Sequence, residues 1–149
     1  MKPSTLRYSL DSGVLVEMLL GTAVGRIMSN FLLSDSPITV HSCHFNLSEA
    51  EYVLCRLLGR TLARSKVDNL VRSNYITLTD AERLYAKAAE IKCERPLALG
   101  DCYTIANAKV TSSTALFAFQ EEELNREIKR KSFDVQIKFI EGLPRPGSP

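Results

Sequence analysis

The stretch Leu6-Arg7-Tyr8-Ser9-Leu10-Asp11-Ser12-Gly13-Val14-Leu15 decides the reading of the whole chain. Tyr8 to Leu10, preceded by Leu6, reads as a brief strand that ends on an acid. Ser12 or Gly13 then opens a helix whose apolar stripe is Val14, Leu15, Met18, Leu19 and Leu20. An acid that closes an apolar strand cannot bury its charge without a partner. Asp11 therefore either caps the following helix or faces a cation at the carboxyl end of a sheet.

Working outward, Gly21-Thr22 breaks the first helix and Ala23 to Leu32 resumes it. Ile38-Thr39-Val40 is β-branched throughout and suits a second strand. A helix follows, capped by Asn46 or Ser48, with Leu47, Tyr52, Val53, Leu54 and Leu57 expected to pack. Gly59 separates it from a further helix over Thr61 to Val71. Tyr75 to Leu78 reads as a third strand. Thr79 and Glu82 have the spacing of a capping box for a helix running to about Lys92. Leu99 to Val110 is the next helix, Ala115 to Phe119 a buried strand, Gln120 to Lys131 a solvated charged helix, and Asp134 to Ile140 an alternating edge strand. Strands alternating with helices predict an α/β fold: three α/β/α layers around a central, mainly parallel sheet. Residues 1–142 form one domain in this reading. Residues 143–149, with Pro144, Pro146 and Gly147, form a flexible tail.

Composition narrows the function. The chain has 149 residues, 45% hydrophobic and 24% charged, with a net charge of +2. These values exclude a wholly disordered chain and binding to nucleic acid by bulk charge alone. Cys43, Cys55, Cys93 and Cys102 are widely spaced, without a C-x-x-C pair, which predicts reduced, buried thiols. His41 and His44 point to opposite faces of a strand exit, and with no third histidine in the chain they do not make a zinc site. Val14 to Leu33 is the most span-like segment, but it carries Glu17 and Arg26, and an ionised residue near a span's centre costs roughly 2.5–3.5 kcal/mol. Asp11 before the apolar run and Glu17 within it also argue against a signal peptide. A soluble cytoplasmic protein is expected.

In an open parallel sheet, ligands gather at the carboxyl ends of the strands. Asp11 lies there, and Glu49 and Asp101 fall in the first turns of later helices. Each of the latter two has an ordinary explanation in the helix dipole. Together they form an oxygen-only set that suits Mg²⁺ or Mn²⁺ rather than zinc. From Arg56 to Arg72 the cations Arg56, Arg60, Arg64, Lys66 and Arg72 face Asp68 alone. Such an excess could track a nucleic-acid backbone, and Arg56 is the strongest candidate.

These residues resemble the PIN-domain nucleases, most closely the VapC-like toxin ribonucleases of prokaryotes, over roughly Arg7 to Phe139. Leu10-Asp11-Ser12-Gly13 is similar to the family's strand-ending acid and small hydroxyl. Asn46 to Arg56 resembles its second motif, with Glu49 as the acid, and Leu97 to Ala108 its third, with Asp101. A fourth acid just after the fourth strand is an aspartate in many members. Here Phe119-Gln120-Glu121-Glu122-Glu123 stands in its place, with Glu121 favoured and Glu122 next.

The resemblance implies a divalent-metal-dependent endoribonuclease, the toxin of a toxin–antitoxin pair. Asp11 and Asp101 would be the principal ligands of Mg²⁺ or Mn²⁺, Glu49 a ligand or water-orienting group, and Ser12 a contact to water or phosphate. Ser112, Ser113 and Thr114 are further phosphate candidates. A small antitoxin and a homodimer through Val14 to Leu33 are the implied partners. The competing reading is a PIN-like module that has lost catalysis and serves in RNA binding or assembly. A receiver or haloacid-dehalogenase-like domain is disfavoured: Gly13 stands where the second aspartate belongs, although Lys138 lies on the last strand.

Overall fold

The computed structural model describes residues 6–34 and 37–142. The tail expected over 143–149 lies outside them. The elements run in order β1 (Leu6–Leu10), α1 (Ser12–Leu20), α2 (Ala23–Leu33), β2 (Ile38–Cys43), α3 (His44–Leu58), α4 (Arg60–Ser73) and β3 (Thr77–Thr79). A 3₁₀ turn (Ala81–Arg83) then leads to α5 (Tyr85–Glu94), α6 (Leu99–Thr111), β4 (Thr114–Phe117), α7 (Glu122–Arg130), β5 (Ile137–Phe139) and a last 3₁₀ turn (Ile140–Gly142).

All five strands are parallel, in the order β3-β2-β1-β4-β5. The strand order reverses beside β1, so the β1–α1 and β4–α7 connections flank the crevice where such sheets bind ligands. One core lies under α1 and α2, with Leu10, Val14, Leu15, Met28 and Leu116 fully buried. Burying each such side chain stabilises the fold by roughly 1.5–3 kcal/mol. A second core on the other face joins Leu84, Cys102, Ile105, Phe117 and Leu124. A third joins Leu54, Ala63 and Val67 of α3 and α4 with residues of α1. The result is the three-layer α/β/α architecture expected from the alternation of elements.

The apolar Val14–Leu33 segment is a corner. Gly21 adopts φ 68°, a left-handed conformation that ends α1, and Thr22 caps α2 through its side chain. The two helices bend by 92°. Among the described residues no single helix is long and apolar enough to cross a membrane, and α1 with α2 reaches that length only as this bent pair.

Several local expectations are corrected. Strand β2 continues to Cys43 and α3 starts at His44, so Asn46 and Ser48 lie inside the helix and cap nothing. Tyr52 and Leu57 are exposed, at 51% and 61%, because α3 buries the side that carries Ala50 and Leu54. Thr79 ends β3 by pairing with Cys43, so the capping box does not form, and a 3₁₀ turn precedes α5. The alternation over Asp134–Ile140 yields only three strand residues, since β5 pairs with β4 alone.

Helix α7 is not wholly solvated. Glu127 is buried beside Arg95, whose guanidinium donates to the carbonyls of Lys131 and Ser132 and stacks over Phe133 at 3.6 Å. Of the four free thiols, Cys43 and Cys102 are buried as expected, whereas Cys93 is exposed and Cys55 intermediate.

Candidate active site

Asp11 follows β1 and is 8% exposed. Of its two alternatives, the helix cap is the one formed. As N-cap of α1, its Oδ2 accepts from the Gly13 amide at 3.3 Å. Its Oδ1 accepts from the Thr104 hydroxyl at 2.9 Å, and the Ser9 hydroxyl holds the Thr104 carbonyl at 2.8 Å. Burial raises the Asp11 pKa above the ordinary carboxylate range, and the hydrogen bonds from Thr104, Gly13 and Ser12 offset only part of that rise.

Glu49 lies in the second turn of α3, not the first, so the helix dipole does not explain its position. The Asn46 amide, three residues earlier on the same helix, donates to Glu49 Oε1 at 3.4 Å and to the Gly100 carbonyl at 3.2 Å. It thereby ties α3 to the start of α6. Gly100 has to be glycine for this approach: a Cβ there would lie 2.8 Å from Glu49 Cδ and closer still to Oε1. Burial and then Asp11 raise the Glu49 pKa, while the Ser12 hydroxyl and Asn46 lower it.

Asp101 occupies the first turn of α6 and is 9% exposed. Its helix follows α5 rather than a strand. It reaches the carboxyl edge of the sheet because α6 leads directly into β4, running against the strand direction. The Asp101 pKa is pushed up to about 8, by burial first and then by Asp11, Glu121, Glu49 and Glu123.

Glu121 is the N-cap of α7, and its pKa is raised by burial, Asp11 and Glu123. Glu122 instead bonds Arg126 at 2.9 Å and is 87% exposed, whereas Glu121, also exposed, lies near enough to Asp11 and Asp101 for their charges to interact. Glu123 was not anticipated, and it adds a further negative charge.

No described lysine or arginine forms an ion pair with Asp11, Glu49, Asp101 or Glu121. Mutually repelling carboxylates without a protein cation are a donor set suited to a hard divalent ion. Among the described residues no three His, Cys, Asp or Glu side chains are grouped so that they could hold a metal ion together. That is compatible with Mg²⁺, which usually takes one or two carboxylates plus water and substrate phosphate.

Ser12, the first residue of α1, lies beside Glu49. Ser112, Ser113 and Thr114 do not join the site. They enter β4 at its amino end, where Thr114 pairs with Tyr8, whereas Asp11 lies at the carboxyl end. Lys138 lines a cleft with Arg7 and Lys109 that does not include Asp11. His44 pairs with Asp80 at 3.4 Å, while both ring nitrogens of His41 are buried without a protein partner, so the two histidines share no site. Thr104 and Asn46 are the positioning residues that sequence reasoning missed. Asn46 lies three residues before Glu49 on the same helix, a spacing that puts side chains together, whereas Thr104 reaches Asp11 from a distant part of the chain and local spacing could not reveal it.

The basic stretch divides. Arg64 is neutralised by Glu51 at 3.3 Å and Asp68 at 3.7 Å. Lys66 lines a separate groove against Met18, Leu19 and Leu33. Arg56 is exposed and lies over the Tyr52 ring, 5.2 Å from its centroid.

Comparison with known proteins agrees with this fold. No curated protein matches the chain. Among solved structures, Mycobacterium tuberculosis VapC20, described as a sarcin-ricin loop cleaving toxin, superposes with a TM-score of 0.62 at 17% identity, covering 80% of this chain and 94% of its own. VapBC2 from Rickettsia felis, bound to a DNA fragment from its promoter, gives 0.55 at 14% identity over 90% and 98%. A toxin–antitoxin complex from Klebsiella pneumoniae gives 0.53 at 9% identity over 78% and 89%. At these identities the likeness is one of fold. The PIN domain model matches residues 8–129, most of the chain and every acid of the cluster. The chain belongs to the PIN domain family.

Proposed function

We propose that this protein is a divalent-metal-dependent endoribonuclease and the toxin of a toxin–antitoxin pair, acting in the cytoplasm. What supports the reading is the PIN domain match over residues 8–129, together with Asp11 and Asp101 buried at the carboxyl edge of the sheet with no lysine or arginine paired to them among the described residues. PIN-domain proteins are generally nucleases, and the similar structures include a toxin and a toxin–antitoxin complex.

Asp11 and Asp101 would hold Mg²⁺ or Mn²⁺, with Glu49 as a further ligand or water-orienting group and Glu121 as the fourth acid. When bound, the ion supplies Lewis-acid polarisation and neutralises charge developing on the phosphoryl oxygens. Thr104 and the Gly13 amide fix the Asp11 carboxylate, and Asn46 fixes Glu49, so both acids are held before substrate arrives. Ser12 contacts the water or phosphate, and Arg56 contacts the RNA backbone. The test is cleavage of structured RNA with Mg²⁺ or Mn²⁺. Asp11→Asn and Asp101→Asn are each expected to lower the rate at least about 100-fold, as loss of a group acting only in the transition state does. Equal rates in all three proteins overturn the proposal.

The second reading, a PIN-like RNA-binding or assembly module without catalysis, draws on the glutamate at the fourth position and on the open ligand set. It predicts RNA binding with no metal-dependent cleavage in the same assay.

A further inference from the structure

A site lined by carboxylates repels the backbone of RNA, so the groups that hold a polyanion must stand just outside it. Helix α3 supplies such a place. Glu49, Tyr52 and Arg56 follow one another at spacings of three and four, along one side of the helix. Tyr52 is 51% exposed, although its apolar spacing predicted a core position, and its ring lies under the Arg56 guanidinium. Neither Arg56 nor Arg60 has an acid partner among the described residues, whereas Arg64 pairs with Glu51 and Asp68. Beyond Tyr52 lies a groove of about 910 Å³ between α3 and α4, lined by Tyr52, Cys55, Arg60 and Arg64 and by the acids Glu51 and Asp68, which pair with Arg64. The Tyr52–Arg56 pair is thus a ridge between Glu49 and that groove.

We propose that Tyr52 is a stacking platform for one unpaired base of the RNA substrate, with Arg56 and Arg60 holding the phosphates on either side; the inference rests on the ribonuclease reading above. An aromatic face beside unpaired guanidinium groups binds single strands because every base offers a π-face, whereas the bases of a duplex are already stacked. The exposed ring has no role in the core, and the charge on the ridge is complementary to phosphate.

The experiment measures fluorescence anisotropy of a labelled, unstructured RNA 12-mer and of its fully paired duplex. The protein is the full chain carrying Asp11→Asn to suppress cleavage. Adding Tyr52→Ala is expected to weaken single-strand binding about 10-fold, to leave duplex binding unchanged and to shift Tm little. Tyr52→Phe, which keeps the ring, is expected to restore affinity. Arg56→Ala is expected to weaken both RNAs and to reduce the salt dependence by about one phosphate contact. Unchanged single-strand affinity in Tyr52→Ala overturns the inference alone, provided that the parent chain cleaves RNA. Equal loss for single strand and duplex overturns base stacking as the role of the ring. Loss of binding to a protein partner with RNA affinity intact assigns the ridge to protein docking and overturns the inference. A parent chain that neither binds nor cleaves RNA overturns the ribonuclease reading itself.

Discussion

At the scale of single residues, the site is governed by how closely like charges approach. Gly100 lets the Glu49 carboxylate lie against the start of α6, and the obstacle to a Cβ there is the end of a flexible side chain. Gly100→Ala should therefore displace Glu49 with little loss of fold. RNA cleavage is expected to fall about 10- to 100-fold, since small misplacements of this kind cost that much, and Tm to change by only a few degrees. Asp101 makes the opposite kind of prediction. Its pKa rises from 3.8 to about 8 on folding, so the folded state holds a proton that the unfolded state releases. Its contribution to stability is present below pH 3.8 and is lost as pH rises towards 8. In metal-free protein at pH 8, Asp101→Asn should raise stability by about 1–3 kcal/mol, a shift of several degrees in Tm. Added Mg²⁺ should raise the Tm of the parent more at pH 8 than at pH 5, and should raise that of the variant much less. Calorimetry at the two pH values measures both effects.

Elements bring these residues together, and the α1–α2 corner shows how tightly. Gly25 is packed so closely on the end of α1 that a Cβ would overlap the Glu17 carbonyl and lie 2.6 Å from the Met18 amide nitrogen. Backbone cannot yield as a side chain tip can. Gly25→Ala should open the corner and cost about 1–3 kcal/mol, read as a lower midpoint in urea with nearly unchanged slope. Most elements were legible in the sequence because their patterns are local: the αL glycine after Leu20, the small-residue helix from Leu99, the β-branched run at Ile38. The errors arose where partners decide. Thr79 reads as a cap until β2 claims it as a strand residue. Tyr52 reads as core until α3 turns its Ala50–Leu54 side inward.

For the whole molecule, the apolar Val14–Leu33 segment is only partly taken up by the core: Val14, Leu15 and Met28 are fully buried, and most of its other apolar side chains are half-buried. What remains outside is Leu33, 69% exposed, above a groove of about 390 Å³ lined by Met18, Leu19, Leu32, Leu70 and Tyr75 among others. If the homodimer that the family resemblance implies uses this surface, light scattering at micromolar concentration should report twice the monomer mass, and Leu33→Asp should return the monomer.

By itself the sequence determined the alternation of elements, the parallel sheet and three of the acids. Those features follow from hydrophobic period, strand-ending charge and motif order, all written within short spans of chain. The net charge of +2 said little. Only the tertiary structure decided that Glu121 rather than Glu122 interacts with Asp11, that Thr104 and Asn46 hold the acids, and that Arg64 is neutralised while Arg56 is not. It also removed Ser112–Thr114 to the far end of the sheet. The physical reason is common to all of these: a charge acquires its role from its neighbours in space, and those come from segments far away in the chain, as Thr104 and Glu121 are from Asp11.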